Sequence, residues 1–194
     1  MQTLIFTILL IIYFIIHSVL ASHSVKNILI DKVISKKYYR LVFNAVAIIS
    51  LIPVLFAFRA IDSSYLFVSA IASIIGMCIS LFGALLLLYA LSQYNLSEFS
   101  GMQQLRTKSA PAPETLKTSG FNAIVRHPLY FAGLIILWGG FMYNPSIKVL
   151  VASLIAALYL YIGTKFEEQK LIIEFGETYK IYQKRVGMLI PFIK

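Results

Sequence analysis

Charge is what this sequence has least of. Only 13% of its 194 residues are Asp, Glu, Lys or Arg, against about 25% in an ordinary soluble domain. With 59% hydrophobic residues and a mean hydropathy of +0.83, a soluble fold would have nowhere to bury its apolar surface. Cysteine is nearly absent: Cys78 alone, inside an apolar run, excludes a disulfide framework and a cysteine-rich metal site. Three scattered histidines offer no ligand spacing, so no metal is expected. No internal repeat is present, which argues against an inverted-repeat transporter. The net charge of +9 lies in short segments between apolar runs, not along one amphipathic element. Anionic membrane lipid, not nucleic acid, is the expected counter-charge.

What remains is long apolar runs. A span of a hydrocarbon layer roughly 30 Å thick takes about 20 apolar residues. Thr3 to Leu20, Leu41 to Phe58, Tyr65 to Leu91, Leu129 to Tyr143 and Ile147 to Gly163 are the candidates. The first lacks the basic start and cleavage site of a signal peptide, so it is expected to remain as a span. Gly76 and Gly83 open the third run to close contact with a neighbour. Asn144, Pro145 and Ser146 join the last two runs into a helical hairpin whose arms are short. Residues 92 to 126 form a long polar loop in which Pro111 and Pro113 exclude helix interior. Of 17 Lys and Arg residues, 15 fall in the first loop, third loop and tail. That asymmetry places the N-terminus outside and the C-terminus in the cytoplasm, with five spans satisfying the parity. The reading is an all-α integral membrane protein, one domain over 1–194. Three N-terminal spans occupy 1–91, and a loop, hairpin and tail occupy 92–194.

Two polar clusters carry the candidate chemistry. Glu167, Glu168, Glu174 and Glu177, four of eight acidic residues, follow the last run within eleven positions. Positions 168, 172, 175, 179, 182 and 186 advance by 4, 3, 4, 3, 4. Glu168 thus heads a helical stripe of Ile172, Phe175, Tyr179, Tyr182 and Val186. A carboxylate on a packed face needs a cation, from the protein or from a ligand. The bland alternative is a solvated helix balancing Lys165, Lys170, Lys180, Lys184 and Arg185. Gly176 marks a possible break in that helix. The second cluster is Arg126-His127-Pro128-Leu129-Tyr130, where loop meets fourth span. Pro128 suits a first helical turn, with His127 near the N-cap. The terminus and Arg126 would seat an anion, while the alternative is interfacial anchoring by Arg, His and Tyr. Together, at the cytoplasmic end of one hairpin, the clusters complement a zwitterion such as an amino-acid moiety.

The run Leu116-Lys-Thr-Ser-Gly120-Phe-Asn-Ala-Ile-Val-Arg126-His127-Pro128-Leu129-Tyr130 resembles the integral membrane methyltransferases. So do Glu167-Glu168-Gln-Lys-Leu171, Phe175-Gly176, Tyr179, Tyr182 and Val186-Gly-Met-Leu-Ile-Pro191. That group includes isoprenylcysteine carboxyl methyltransferase and the phospholipid N-methyltransferases. The stretch around His17, Tyr39-Arg40-Leu-Val-Phe-Asn44 and Glu98-Phe99-Ser-Gly101-Met-Gln103 are most similar to the methanethiol S-methyltransferase and NnrU-like members. Gly187 stands where such sequences usually carry proline.

The resemblance implies S-adenosylmethionine as cofactor, held in a cytoplasmic pocket built by the long loop, the hairpin and the C-terminal helix. It implies Glu167 and Glu168 toward the cofactor ammonium, and His127, Pro128 and Tyr130 toward its carboxylate and the adjoining wall. Arg126 would bind carboxylate or polarise the acceptor. Gly120 would shape the loop, and Tyr179, Tyr182 and Arg185 would close the pocket. His17 and Gln103 would line the entry of a small or lipophilic acceptor, with a thiol favoured. A prenylcysteine carboxylate, a lipid amine, a nicotinamide-dependent sterol reduction and a non-catalytic membrane adaptor are the alternatives. Oligomeric state is not readable.

Overall fold

The computed structural model describes residues 1–193 except 63, 95, 101 and 103–114, without the side chains of His23, Glu98 and Phe99. In chain order the helices are α1 (Gln2–Ala21), α2 (His23–Lys32), α3 (Lys36–Ala60), α4 (Ala70–Ser92) and α5 (Leu96–Ser100). A 3-10 turn (Gly120–Ala123), α6 (Pro128–Tyr143) and α7 (Ile147–Arg185) follow. Only two isolated bridges and no strand occur among the described residues. By length and composition α1, α3, α4 and α7 can each cross a membrane, and α6 is a shorter apolar helix of 16 residues. Many Ile, Leu and Phe side chains of α1, α3, α4 and α7 are exposed, which only a hydrocarbon surround tolerates. The chain is a multi-pass, all-helical membrane protein.

The chain forms two compact units, Met1–Ser64 with Tyr94–Pro111, and Tyr65–Gln93 with Ala112–Lys194. In the first, α1 and α3 pack around Phe6, Leu10 and Val54, with the Phe6 and Phe58 rings 5.4 Å apart. Ser22 is extended (φ −69°, ψ 142°) and accepts from Val25 N, so α1 stops and α2 begins. The Tyr39 hydroxyl donates to the Leu20 carbonyl and pins the start of α3 beside that break. Asn44 Nδ2 donates to Ser100 O at 3.1 Å, tying α5 to α3.

In the second unit α4 lies antiparallel to α6 along a seam of small residues. A Cβ built on Gly76 would lie 2.3 Å from Tyr143 N, and one on Gly139 would lie 2.6 Å from Ser80 N. A Cβ on Gly83 would lie 2.9 Å from the Ile135 and Ile136 side chains. The close approach expected of Gly76 and Gly83 is therefore real, and α6 is the neighbour. The third apolar run becomes helical, as α4, at Ala70 and not at Tyr65, because Ser69 Oγ accepts from Ala72 N and Leu66 N is drawn to Pro145 O at 2.8 Å. The hairpin also differs from expectation in its second arm. Helix continues past Gly163 as far as a kink at Gly176, so the second arm runs on beyond its apolar part before α7 ends at Arg185. At the other end of α4, Ala90 packs with Phe121 and Val125, seating the 3-10 turn that leads into the polar cluster.

Candidate functional site

His127 is the N-cap of α6 and Pro128 occupies its first turn, where a missing N–H costs nothing. The residues before them are held by the chain's own C-terminal segment. Arg126 N donates to Gly187 O at 2.9 Å and His127 N to Met188 O at 3.3 Å, with Val125 and Gly187 forming a parallel bridge. A Cβ at position 187 would lie 2.3 Å from Ile190 O, so the turn through 190–193 fits only glycine there. Asn122 Nδ2 donates to Arg126 O, and the Tyr182 hydroxyl to Asn122 O.

Glu168 is the hub. Arg126 Nε donates to its Oε1 at 2.7 Å and Nη2 to its Oε2 at 2.9 Å, a two-point guanidinium–carboxylate pair. His127 Nε2 lies 2.9 Å from Oε1, the Tyr179 hydroxyl donates to Oε1 at 2.7 Å, and Gln183 Nε2 donates to Oε2 at 2.5 Å. Arg126 Nη1 donates to the carbonyls of Gln183 and Val186. Tyr179 and Gln183 lie 11 and 15 residues past Glu168. In a straight helix those residues would be about 16 and 22 Å away along the axis. Gly176 makes the contact possible: at φ 56° and ψ −131° it breaks α7 and folds the last turns back over Glu168. The stripe read from the sequence thus does not continue in line; its tyrosines return onto its first residue.

Glu167 is placed differently. Its Oε2 lies 3.6 Å from His127 Nδ1, and its side chain is 42% exposed where that of Glu168 is 9%. Burial disfavours charge on Glu168, yet the bonds from His127, Arg126, Tyr179 and Gln183 hold its carboxyl well below the usual range. Glu167 is also lowered, against burial, by His127 and Tyr130. For His127 burial pulls downward, but the hydrogen bonds and charges of Glu167 and Glu168 outweigh it and the net shift is upward. Burial and the Glu168 carboxylate push the Tyr179 phenol above its ordinary value, so it remains a donor. The result is a nearly dry cluster of one guanidinium, one imidazole and two carboxylates, with only Glu167 reaching outward.

Of the residues singled out in the sequence, the structure gathers Arg126, His127, Pro128, Tyr130, Glu167, Glu168, Tyr179 and Tyr182 at this end of the hairpin. The His127 and Tyr130 rings stand edge to face at 5.7 Å. Gly120, exposed at φ 63°, starts the 3-10 turn, and Arg185 is exposed in the last turn of α7. His17 belongs to the other unit, its ring 5.0 Å from Phe43. Gln103 lies outside the described residues. Two participants escaped the sequence reading: Gln183 and Asn122, ordinary polar residues whose roles depend on the fold-back. Among the described residues no group of His, Cys, Asp and Glu is placed to hold a metal.

Fold and cluster define a helical membrane protein with a buried ionic site at one end of a hairpin. The profile of the family described as NnrU protein matches residues 5–184, and the chain belongs to that family. It is 40% identical over 86 residues to a methanethiol S-methyltransferase of Pseudomonas deceptionensis, covering 43% of this chain and 31% of that protein. A protein of the same name from Pseudomonas sp. (strain GM41(2012)) is 31% identical over 123 residues, 60% of this chain and 46% of its own. One from Crocosphaera subtropica is 36% identical over 83 residues, 42% of this chain and 31% of its own. The matched part spans less than half the length of each of these relatives. No solved structure matches the chain.

Proposed function

We propose that the chain is an S-adenosylmethionine-dependent methyltransferase acting on a thiol of a small or lipophilic acceptor at the cytoplasmic membrane face. The observation that carries this reading is the juxtaposition of Arg126-His127 with Glu167-Glu168 at one end of the hairpin. The names of the relatives point the same way. The donor set fits the cofactor's amino-acid portion: an exposed carboxylate for an ammonium, and an imidazole with upward-shifted pKa beside a helix N-terminus for a carboxylate. When bound, S-adenosylmethionine supplies an electrophilic methyl group on a sulfonium sulfur.

The chain's residues have distinct tasks in this proposal. Glu167, the more exposed carboxylate, makes the direct ammonium contact, and Glu168 fixes the groups around it. His127 and Tyr130 face the methionine carboxylate. Arg126 bonds Glu168 through Nε and Nη2 and the Gln183 and Val186 carbonyls through Nη1, leaving the second Nη2 N–H for carboxylate or acceptor. Tyr179 and Tyr182 close the site through the fold-back at Gly176. A thiol acceptor would shed its proton to water, a loss that the Arg126 guanidinium would favour, and the cofactor held by Glu167, His127 and Tyr130 would supply the methyl group to that thiolate and leave as a neutral thioether. Positioning in a dry site supplies most of the rate. The bilayer is a reservoir from which an apolar acceptor arrives.

The test is calorimetric titration of S-adenosylmethionine into detergent-purified protein beside Glu167→Gln and His127→Ala. Saturable binding weakened at least tenfold in both variants supports the site. Absence of binding by folded wild type, in detergent and in nanodiscs, overturns it in favour of a non-catalytic membrane protein.

A further inference from the structure

The ionic site leaves one strongly charged region of the first unit unexplained. Along α2 and the first turns of α3 the chain carries Lys26, Lys32, Lys36, Lys37 and Arg40 against a single Asp31. None of the four lysines is ion-paired among the described residues. The same stretch holds Ile28, Val33 and Tyr38 at 54, 72 and 49% exposure. Basic and apolar side chains are thus exposed along the same stretch: Ile28 and Lys32 are one helical turn apart on α2, and Lys37 Nζ sits 5.5 Å from the Tyr38 ring. The region is ordered and short. Ser22 separates α2 from α1, and the Tyr39 hydroxyl bonds Leu20 O; Lys36 and Lys37 open α3, Lys32 closes α2 just before it, and Lys26 lies in the first turns of α2 after the end of α1. A helix placed there, with apolar groups to bury in acyl chains and ammonium groups beside them, matches an interfacial helix on an anionic leaflet.

We propose that α2 and the start of α3 form a binding surface for anionic phospholipid headgroups, with Lys32, Lys36 and Lys37 as the phosphate contacts and Ile28, Val33 and Tyr38 inserted between lipids. The surface is independent of the methyl-transfer reading.

The experiment reconstitutes the full chain in nanodiscs of phosphatidylcholine containing about a quarter phosphatidylglycerol, and measures by native mass spectrometry the lipids that stay bound. Wild type should retain phosphatidylglycerol at roughly threefold or more above its bulk share, and raised salt should reduce that excess. Lys32→Gln/Lys36→Gln/Lys37→Gln should bring retention to the bulk ratio, whereas Lys32→Arg/Lys36→Arg/Lys37→Arg should preserve it. The arginine variant guards against loss of orientation, because it keeps the charge that sets topology. Retention at the bulk ratio by wild type, or an unchanged excess in the glutamine variant, would overturn the proposal. So would an excess indifferent to salt.

Discussion

Replacing Glu168 by Gln removes the one charge on which the cluster converges. The amide keeps the shape but offers a single acceptor oxygen where Arg126, His127, Tyr179 and Gln183 now share two. Its NH2 also faces donors. The Arg126 and Glu168 side chains are 6% and 9% exposed, so water cannot stand in for the lost carboxylate. Breaking a buried pair from one side costs about 3–5 kcal/mol, because the remaining charge is left uncompensated. For a chain of this size each kcal/mol moves the melting temperature by about 2–4 °C, so the fall should be roughly 6–20 °C. Thermal unfolding followed by tryptophan fluorescence in detergent measures it. Arg126→Met combined with Glu168→Gln should lose less than the sum of the two single changes, since both charges leave together. A Glu168→Gln protein that melts within a degree or two of wild type, or strict additivity in the double variant, would refute the reasoning.

Gly139→Ala should destabilise by about 1–3 kcal/mol, since its Cβ meets Ser80 backbone 2.6 Å away, while Gly140→Ala, with open space around it, should be neutral. Paired melting curves check this contrast. Gly176→Ala should cost about 1–3 kcal/mol from its backbone angles and loosen the fold-back, read as faster amide exchange in residues 177–185. The pH dependence has a definite sign at each end. His127 is raised, so its contribution is complete below its unfolded value of 6.5 and fades as pH climbs through the higher folded value. Glu168 is lowered, so its contribution is present above the ordinary value of 4.5 and fades as pH falls toward the folded one. Melting temperature across pH 4 to 9 should fall at the alkaline end in wild type, with that limb reduced in His127→Gln.

Much of the arrangement could be read from local chemistry. Apolar runs located the helices because a hydrocarbon surround imposes length and little else. Pro128 announced a helix start, and Gly176 a break. Gly76 and Gly83, seven residues apart, announced a close neighbour. The contacts of Glu168 were not legible, because Tyr179 and Gln183 reach it only after the chain reverses at Gly176. Periodicity assumes a straight axis, and a φ of 56° removes that assumption. Helix α2 was hidden for another reason: ten residues with mixed lysines and aliphatics give a weak helical pattern that is stabilised by the cap at Ser22. The return of the C-terminal segment onto Arg126 depends on backbone pairing at Gly187, to which side-chain patterns are blind.

The most direct test of the central claim supplies purified protein in nanodiscs with methanethiol and S-adenosylmethionine carrying a deuterated methyl group, and follows the headspace by mass spectrometry. The account predicts dimethyl sulfide three mass units heavier than natural product, formed by wild type and reduced at least tenfold in Glu167→Gln. No labelled thioether from folded protein that binds the cofactor, with methanethiol and longer alkyl thiols alike, would contradict it.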